Sequence, residues 1–371
     1  MRKLASIQKI ESLTPIDGAD RIVLAKIMGW QVVVGVDDFK VGDLCVYFEI
    51  DSKLPDEDWA EMLRPHGFKV KTIKLRGQIS QGLALPLSKF PKMWWLYPSI
   101  GLDLTDKLQV YKIGTVYKKP KTLLGKIRSS FNKVYYGFVK RKTKEHLSSI
   151  DFPSYLIPKT DEPRIQSNTY LVQEGMGRKF YVSEKLDGSS ITIINSVGEF
   201  FLCTRNFRLS LDYTFSENDI RGCAINLFTK VSPYKEAVEK LMSKYPGIGI
   251  QGEMIGNVQG NKYKLDKNMY RVFHVYDIVA KKTVDLDRSL EIVKDLGLEW
   301  VPILEEFVME PTHKSDYFVK YAEGKSKLQP KQEREGIVVR TVDSPKISFK
   351  AISAKFLLKH QDQFGYDNLD E

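Results

Sequence analysis

The sequence predicts an α+β chain in which a small antiparallel β-barrel precedes a larger domain of antiparallel sheets with flanking helices, and three observations carry that prediction. At 371 residues the chain exceeds the usual size of one hydrophobic core, so two domains are expected. Between residues 22 and 50, short apolar and β-branched runs alternate with turn residues at barrel spacing. Beyond a proline-marked boundary, strand-like runs are interspersed with a helical periodicity and no internal repeat is present.

In the first part the runs are Ile22 to Leu24, Gln31 to Val34 and Leu44 to Phe48, separated by turns at Asp37-Asp38 and Gly42-Asp43. A further strand-like stretch, Phe68 to Leu75, leads into Arg76-Gly77-Gln78-Ile79-Ser80-Gln81-Gly82. Pro153, Pro158 and Pro163 mark the boundary to the second part. There, Lys179 to Val182, Ser190 to Ile194 and Ile337 to Arg340 are β-rich, and Tyr234 to Lys244 has helical spacing.

Hydrophobic residues make up 42% and charged residues 28% of the chain, the composition of an ordinary soluble globular protein. No apolar run approaches the roughly 18 residues of a membrane helix, and the opening residues lack the apolar core of a signal peptide. An intracellular protein is expected, cytoplasmic or nuclear, monomeric and without a membrane partner. Cys45, Cys203 and Cys223 are too few and too scattered for a disulfide framework and read as buried apolar residues. His66, His146, His274, His313 and His360 have no zinc spacing.

The formal net charge is +10. Residues 107 to 144 hold twelve Lys and Arg and no acid, which accounts for the whole excess. Tyr111, Tyr117, Phe131, Tyr135, Tyr136 and Phe138 are interleaved among those cations. Cations that meet phosphates beside aromatic rings that stack on bases suit single-stranded or end-bearing nucleic acid, while the same run also suits a solvated connector.

The chemical signal lies in Phe180 to Ser190, a strand that runs through Ser183-Glu184-Lys185-Leu186 into a tight Asp187-Gly188 turn. Alone, such a tetrapeptide is an ordinary hairpin turn. The same chain goes on to Thr204-Arg205-Asn206, Gln251-Gly252-Glu253, Val275-Tyr276-Asp277-Ile278, Glu335-Gly336-Ile337-Val338-Val339-Arg340 and Ser348-Phe349-Lys350. In order and spacing these resemble the motifs of the covalent nucleotidyltransferases, the superfamily of ligases and capping enzymes, over nearly all of residues 160 to 355.

A lysine that attacks the α-phosphorus of ATP must be neutral, yet its unperturbed pKa lies near about 10.4. Desolvation and cationic neighbours lower that value, and Arg205 and Lys350 are the cations the motifs bring near. Charge on the α-phosphate and the departing pyrophosphate calls for a divalent metal and fixed cations. Asp187, Glu253 and Glu335 are hard oxygen ligands suited to Mg2+ or Mn2+, held through waters. The resemblance implies Lys185 as nucleophile, Glu253 also near the ribose, Tyr276 stacked on adenine and Val338 on its other face. It places Glu184 and Leu186 in the nucleotide site as well.

Ala19-Asp20-Arg21-Ile22, Val41-Gly42-Asp43 and the Arg76 to Gly82 segment resemble an OB fold over about the first hundred residues. The resemblance implies an OB domain at 1–115, a basic linker at 116–150 and an adenylyltransferase domain, ATP-grasp-like in its ligase architecture, at 151–371. Only about twenty residues follow Lys350, too few for the C-terminal OB domain of capping enzymes and ordinary DNA ligases. An N-terminal OB domain instead resembles the ATP-dependent RNA ligases of the RNA ligase 5 group. Thr160 to Gln166 adds support, with Arg164 implied as a contact to the ATP β- or γ-phosphate, and so does Gly252 to Asn261.

That resemblance implies an RNA ligase that joins 3′-hydroxyl and 5′-phosphate ends, nicked duplexes included, in RNA repair, through lysyl-AMP and RNA-adenylate. A DNA-nick ligase and a catalytically decayed RNA-binding protein are the alternatives. One departure is present: many ligases carry two lysines separated by one residue in the last motif, whereas Ser348 holds the first position here. Lys346 and Lys355 are the candidates to replace it.

Overall fold

The computed structural model describes residues 2–91, 98–114, 149–216, 219–258, 260–261, 263–344 and 346–360. The basic run is therefore seen only at Lys107 and Lys112, and its cations from Lys118 to Lys144 lie outside the described residues.

The N-terminal part is built from β1 (Ala5–Lys9), β2 (Ser12–Ile16), β3 (Ala19–Ile27), β4 (Trp30–Gly35), β5 (Leu44–Phe48), β6 (Ser52–Lys53), β7 (Lys69–Val70), β8 (Thr72–Leu75), β9 (Gln78–Gln81), β10 (Leu83–Pro86) and β11 (Tyr111–Lys112). These pair as β1-β5-β10, β2-β3-β4, β11-β6-β7 and β8-β9, all antiparallel. The stretch from Phe68 to Leu75 is thus two short strands and not one. Strand β5 is covered on both faces, and its alternation feeds two cores. Val46 and Phe48 pack with Leu4, Ile7, Leu85 and Phe90. Cys45 and Tyr47 point the other way, to Ile10, Ile27, Trp30 and Val32, where Ile352 and Leu357 also pack.

The second part opens with β12 (Ser149–Asp151) and α1 (Tyr170–Glu174), followed by β13 (Lys179–Lys185), β14 (Ser189–Ser196), β15 (Glu199–Thr204) and β16 (Phe207–Leu209). Two helices come next, α2 (Ile220–Lys230) and α3 (Tyr234–Lys244). Asp219 starts α2 by accepting the Arg221 N–H at 2.8 Å, and Pro233 stands at the head of α3. Then follow β17 (Ile248–Ile255), β18 (Met269–Asp277), β19 (Lys282–Thr283), α4 (Leu286–Asp295), β20 (Glu299–Trp300), β21 (Ile303–Val308), α5 (Ser315–Tyr321), β22 (Gly336–Thr341), β23 (Ser348–Ile352) and α6 (Ala354–His360).

One sheet has the order β12-β16-β15-β14-β17-β18-β19, with β20 beside β18, and the other is β21-β13-β22-β23. Each is backed by an apolar layer. Ile191, Ile193, Ile250 and Val272 of the larger sheet pack on α2, α3 and α4 through Leu227, Phe228, Leu241 and Ile292. Behind the smaller sheet, Phe180, Val182, Ile337, Val339 and Phe349 pack on Phe318 of α5. Fully burying one such side chain is worth about 1.5–3 kcal/mol, so these layers fix the two sheets as platforms for whatever their opposite faces carry.

The two parts are joined by partly buried polar contacts as well as by the shared core. Arg164 Nη2 lies 2.5 Å from Asp51 Oδ2, which Arg2 also meets at 3.4 Å. Trp30 Nε1 donates to Ser167 Oγ at 3.0 Å, Ser167 donates to Glu49, and the Gly29 N–H donates to the Gln166 carbonyl at 2.9 Å. The three cysteines are buried free thiols, as expected. Among the described residues no helix is long and apolar enough to cross a membrane.

Candidate active site

On the smaller sheet, alternation puts Phe180 and Val182 into the core and turns Tyr181, Ser183 and Lys185 to the opposite face. Cross-strand register extends this face into three rows: Tyr181, Arg340 and Ser348; Ser183, Val338 and Lys350; Lys185, Gly336 and Ile352. Val338 and Lys350 are therefore direct neighbours one row from Lys185. Gly336 is required where it stands, because a Cβ there would sit 2.2 Å from the Ala351 carbonyl oxygen.

The larger sheet supplies the facing residues. Ser190 pairs with Glu253, Thr192 with Gln251 and Ile194 with Gly249, which in turn pairs with Tyr276. The Asp187-Gly188 turn packs directly on β17, for a Cβ on Gly188 would lie 2.3 Å from the Met254 carbonyl oxygen. Glu253 Oε1 accepts the Gly188 N–H at 3.1 Å.

Lys185 Nζ donates to both carboxylate oxygens of Glu335, at 2.7 and 2.6 Å. Burial works against its charge, but Glu335, Glu253 and Asp187 outweigh that and hold the amine above the ordinary lysine value. From the sequence, cations are expected to lower it, and the nearer carboxylates reverse the sign. Burial, helped by Glu335 and Asp187 and opposed by Lys185, pushes the Glu253 carboxyl up to about 8.

Three acidic side chains beside one lysine form a donor set suited to a divalent cation, whose charge would favour the ionised form of Glu253. Among the described residues no group of three or more His, Cys, Asp or Glu is drawn together tightly enough to ligate an ion directly.

The expected phosphate cations are all held by acids. Lys350 Nζ lies 3.0 Å from Asp161 Oδ1, and Arg205 Nη2 lies 3.5 Å from Asp161 Oδ2. Burial, with Lys185 and Arg164 nearby, pushes Lys350 down to about 8 against the pull of Asp161. Arg205 also lines a small cleft with Phe152, Lys159, Thr160, Ser190, Thr192 and Gln251. Arg164 is nearly buried and is turned to Asp51 of the barrel.

Glu184 projects to the core side, where its Oε2 accepts the Lys327 N–H at 2.7 Å, and Leu186 packs with Ile255, Tyr263 and Val301. Tyr276 packs against the cluster of Phe152, Ile157 and Ile194 and lies opposite Gly249, four residues along β17 from Glu253. Of the two candidates to replace the missing lysine, Lys346 sits 5.8 Å over the Tyr181 ring, and Lys355 is exposed on α6. Ser348 itself donates to Glu162, whose other oxygen takes Arg340 at 2.9 and 3.0 Å. Asp161 and Glu162 lie inside the Thr160 to Gln166 segment but are given no role there, and Asp51 lies in none of the motifs.

His274 secures the segment that carries these acids. Its Nδ1 meets Gln251 Oε1 at 2.7 Å, its Nε2 meets Thr283 Oγ1 at 2.9 Å, and Gln251 Nε2 donates to the Pro158 carbonyl at 3.0 Å. Because Gln251 Oε1 is an acceptor, His274 carries its proton on Nδ1. Burial, then Arg340 and Lys346, push the ring from 6.5 down to about 3. The folded protein therefore refuses a proton that the unfolded chain accepts, so stability falls as pH drops through that window. This group alone contributes a slope of up to about 1.4 kcal/mol per pH unit. Denaturant midpoints between pH 6.5 and 4 are expected to fall less steeply for His274→Gln than for the parent, and parallel curves would refute the assignment.

Comparison with known proteins places this arrangement among RNA ligases. A family model described as RNA ligase matches residues 178–356, and a model of an OB-fold domain matches residues 4–87. The Naegleria gruberi RNA ligase with PPi is 31% identical, over 98% of this chain and 100% of that chain, with a TM-score of 0.77. Variants of that ligase with ATP and Mn and with AMP and Mn are each 30% identical, over 97% of this chain and 100% of theirs, with TM-scores of 0.77. A search of curated protein sequences gives no match. The chain belongs to the ATP-dependent RNA ligases with an N-terminal OB domain.

Proposed function

We propose that the protein joins a 3′-hydroxyl RNA end to a 5′-phosphate end by three displacements at phosphorus, in RNA repair. Lys185 takes AMP from ATP, AMP passes to the 5′-phosphate, and the 3′-hydroxyl displaces AMP. The observation that supports this most is the setting of Lys185, at a strand end, paired with Glu335 and ringed by Glu253 and Asp187, with Val338 and Lys350 one row away. A divalent cation at Asp187, Glu253 and Glu335 would offset the charge that keeps Lys185 protonated and the charge building on the α-phosphate.

Lys185 Nζ then gives up its ammonium proton to solvent and forms the bond to the α-phosphorus as the α–β phosphoanhydride breaks and pyrophosphate leaves. Lys350 and Arg205 exchange Asp161 for phosphate oxygens, an exchange favoured by the exposure of Asp161. Arg164, assigned to the β- or γ-phosphate, uses Nη2 on Asp51 of the barrel, so a single guanidinium would serve both nucleotide contact and domain contact. Val338 and Tyr276 are assigned to the two faces of adenine and Glu253 to the ribose as well, while Glu184 and Leu186, whose side chains are buried away from Lys185, are assigned to the nucleotide site through their backbone only. Positioning and charge neutralisation carry the reaction.

The deciding experiment is incubation with α-labelled ATP, and separately GTP, followed by mapping of the label. Label from ATP at Lys185 is expected, and label elsewhere or from GTP alone would overturn the assignment. Sealing of nicked duplexes with an RNA 3′-hydroxyl strand, but poorly with a DNA one, is the second expected result.

The barrel domain at 1–115 and the basic segment at 116–150 are assigned to RNA affinity, with the chemistry confined to 151–371. Charge reversal at Lys140, Arg141 and Lys142 is expected to weaken RNA binding and to reduce the slope of log K against log salt by about 0.7 for each phosphate no longer neutralised. Unchanged binding would leave the barrel as a packing module.

A further inference from the structure

We infer that Tyr263 is a positioning residue for lysine adenylylation: its hydroxyl clamps the backbone of the Asp187-Gly188 turn and thereby aims the Asp187 carboxylate. The inference rests on the reading that Asp187, Glu253 and Glu335 hold the cation.

The turn between Lys185 and β14 has two backbone amides that point to named acceptors. The Gly188 N–H goes to Glu253 Oε1 at 3.1 Å, and the Asp187 N–H goes to Tyr263 Oη at 2.8 Å. The second contact is the shorter, and its acceptor sits on a side chain only 4% exposed, so water does not readily replace it.

Tyr263 is itself held on several sides. Its ring packs with Leu186, Ile255 and Val301, and its carbonyl accepts Gln329 Nε2 at 3.1 Å. Asn261 closes the loop around it, donating to Asn257 Oδ1 and the Leu265 carbonyl and accepting the Leu265 N–H, each at 2.9 Å. A short side chain at Asn261 tolerates the left-handed φ of 46° that this loop needs. A phenol that accepts one N–H keeps its own proton to donate.

The test uses the full chain and Tyr263→Phe, which keeps the ring and removes only the hydroxyl. Hydrogen exchange of the peptide that spans Asp187 and Gly188 is expected to gain one amide exchanging about tenfold faster. Mn2+ titration followed by electron paramagnetic resonance, with α,β-methylene ATP present, is expected to show affinity weakened at least threefold. Initial rates of AMP transfer to Lys185 should fall with a raised half-saturating Mg2+ concentration.

An unchanged Mn2+ affinity overturns the inference, whether or not the amide exchanges faster. Should Tyr263→Phe unfold, Gln329→Ala, which removes the donor to the Tyr263 carbonyl, must weaken Mn2+ binding in the same direction, and failure to do so also overturns it. Absence of AMP transfer by the parent protein would count against Lys185 as nucleophile, whereas intact Mn2+ affinity in Tyr263→Phe counts against Tyr263 alone.

Discussion

Replacement of Lys185 by alanine is expected to abolish transfer of label from ATP to the protein and the sealing of RNA with a plain 5′-phosphate, by about a thousandfold or more. Only Lys185, in the ordered motifs, ends a strand at the carboxylate cluster, and Lys350 one row away is tied to Asp161. The decisive control is RNA that already carries a 5′-adenylate. Its sealing bypasses the lysine, so Lys185→Ala should retain much of that step. Loss of both steps would mean that the substitution damages the site at large, and a residual covalent adduct would mean that another nucleophile exists.

Glu335→Ala is expected to slow lysine adenylylation about a hundredfold, the size of effect that follows loss of one preorganised electrostatic partner of a reacting group. Glu335 sits on the first residue of the Glu-Gly pair that enters β22, and both its oxygens lie within 2.7 Å of Lys185 Nζ. The substitution removes a carboxylate assigned to the metal and an anion that stabilises the charged amine. Glu335→Gln separates the two effects. With the anion gone, Lys185 loses its proton at lower pH, so the alkaline rise in adenylylation rate should begin earlier on the pH axis than in the parent. Asp187→Ala is expected to raise the Mg2+ requirement without that shift of comparable size, since Asp187 is the weakest of the three carboxylate influences on Lys185. Identical Mg2+ dependence and rate in all three variants would remove these carboxylates from metal binding. Melting temperatures should change less than rates, because Glu335 and Asp187 lie outside the apolar cluster that backs the smaller sheet.

The parts of this architecture that could be read from the amino-acid order are those written locally. Strands β3, β4 and β5 announce themselves by runs of Val, Ile and Leu between turn residues, and α3 by apolar positions at Tyr234, Ala237 and Leu241 that do bury. Lys185, Asp187, Glu253, Glu335, Val338 and Lys350 could be found because each stands inside a short motif, and strand register then brings them to one place.

What could not be read depends on partners far apart in the chain. Nothing around Arg164 indicates that Asp51 will claim it, and nothing around Ser348 indicates the Glu162–Arg340 pair that it joins. The pKa shift at Lys185 is a further case, because its direction is set chiefly by Glu335 and Glu253, which come from segments far from it in the chain. Tyr263 escaped notice for the same reason. Its value lies in a backbone amide seventy-six positions away, and no motif records a backbone partner.

The packing of Ile352 and Leu357 among Ile10, Ile27 and Trp30 has a consequence for how the protein is made. A ribosome delivers the barrel strands first, at roughly 5–20 residues per second, but one wall of their second core is synthesised only with β23 and α6. The nascent barrel must therefore wait with that apolar wall uncovered, and long-range closures of this kind fold slowly. The strand that arrives to cover it also carries Lys350, so completion of the barrel and completion of the site are one late event in the life of the chain.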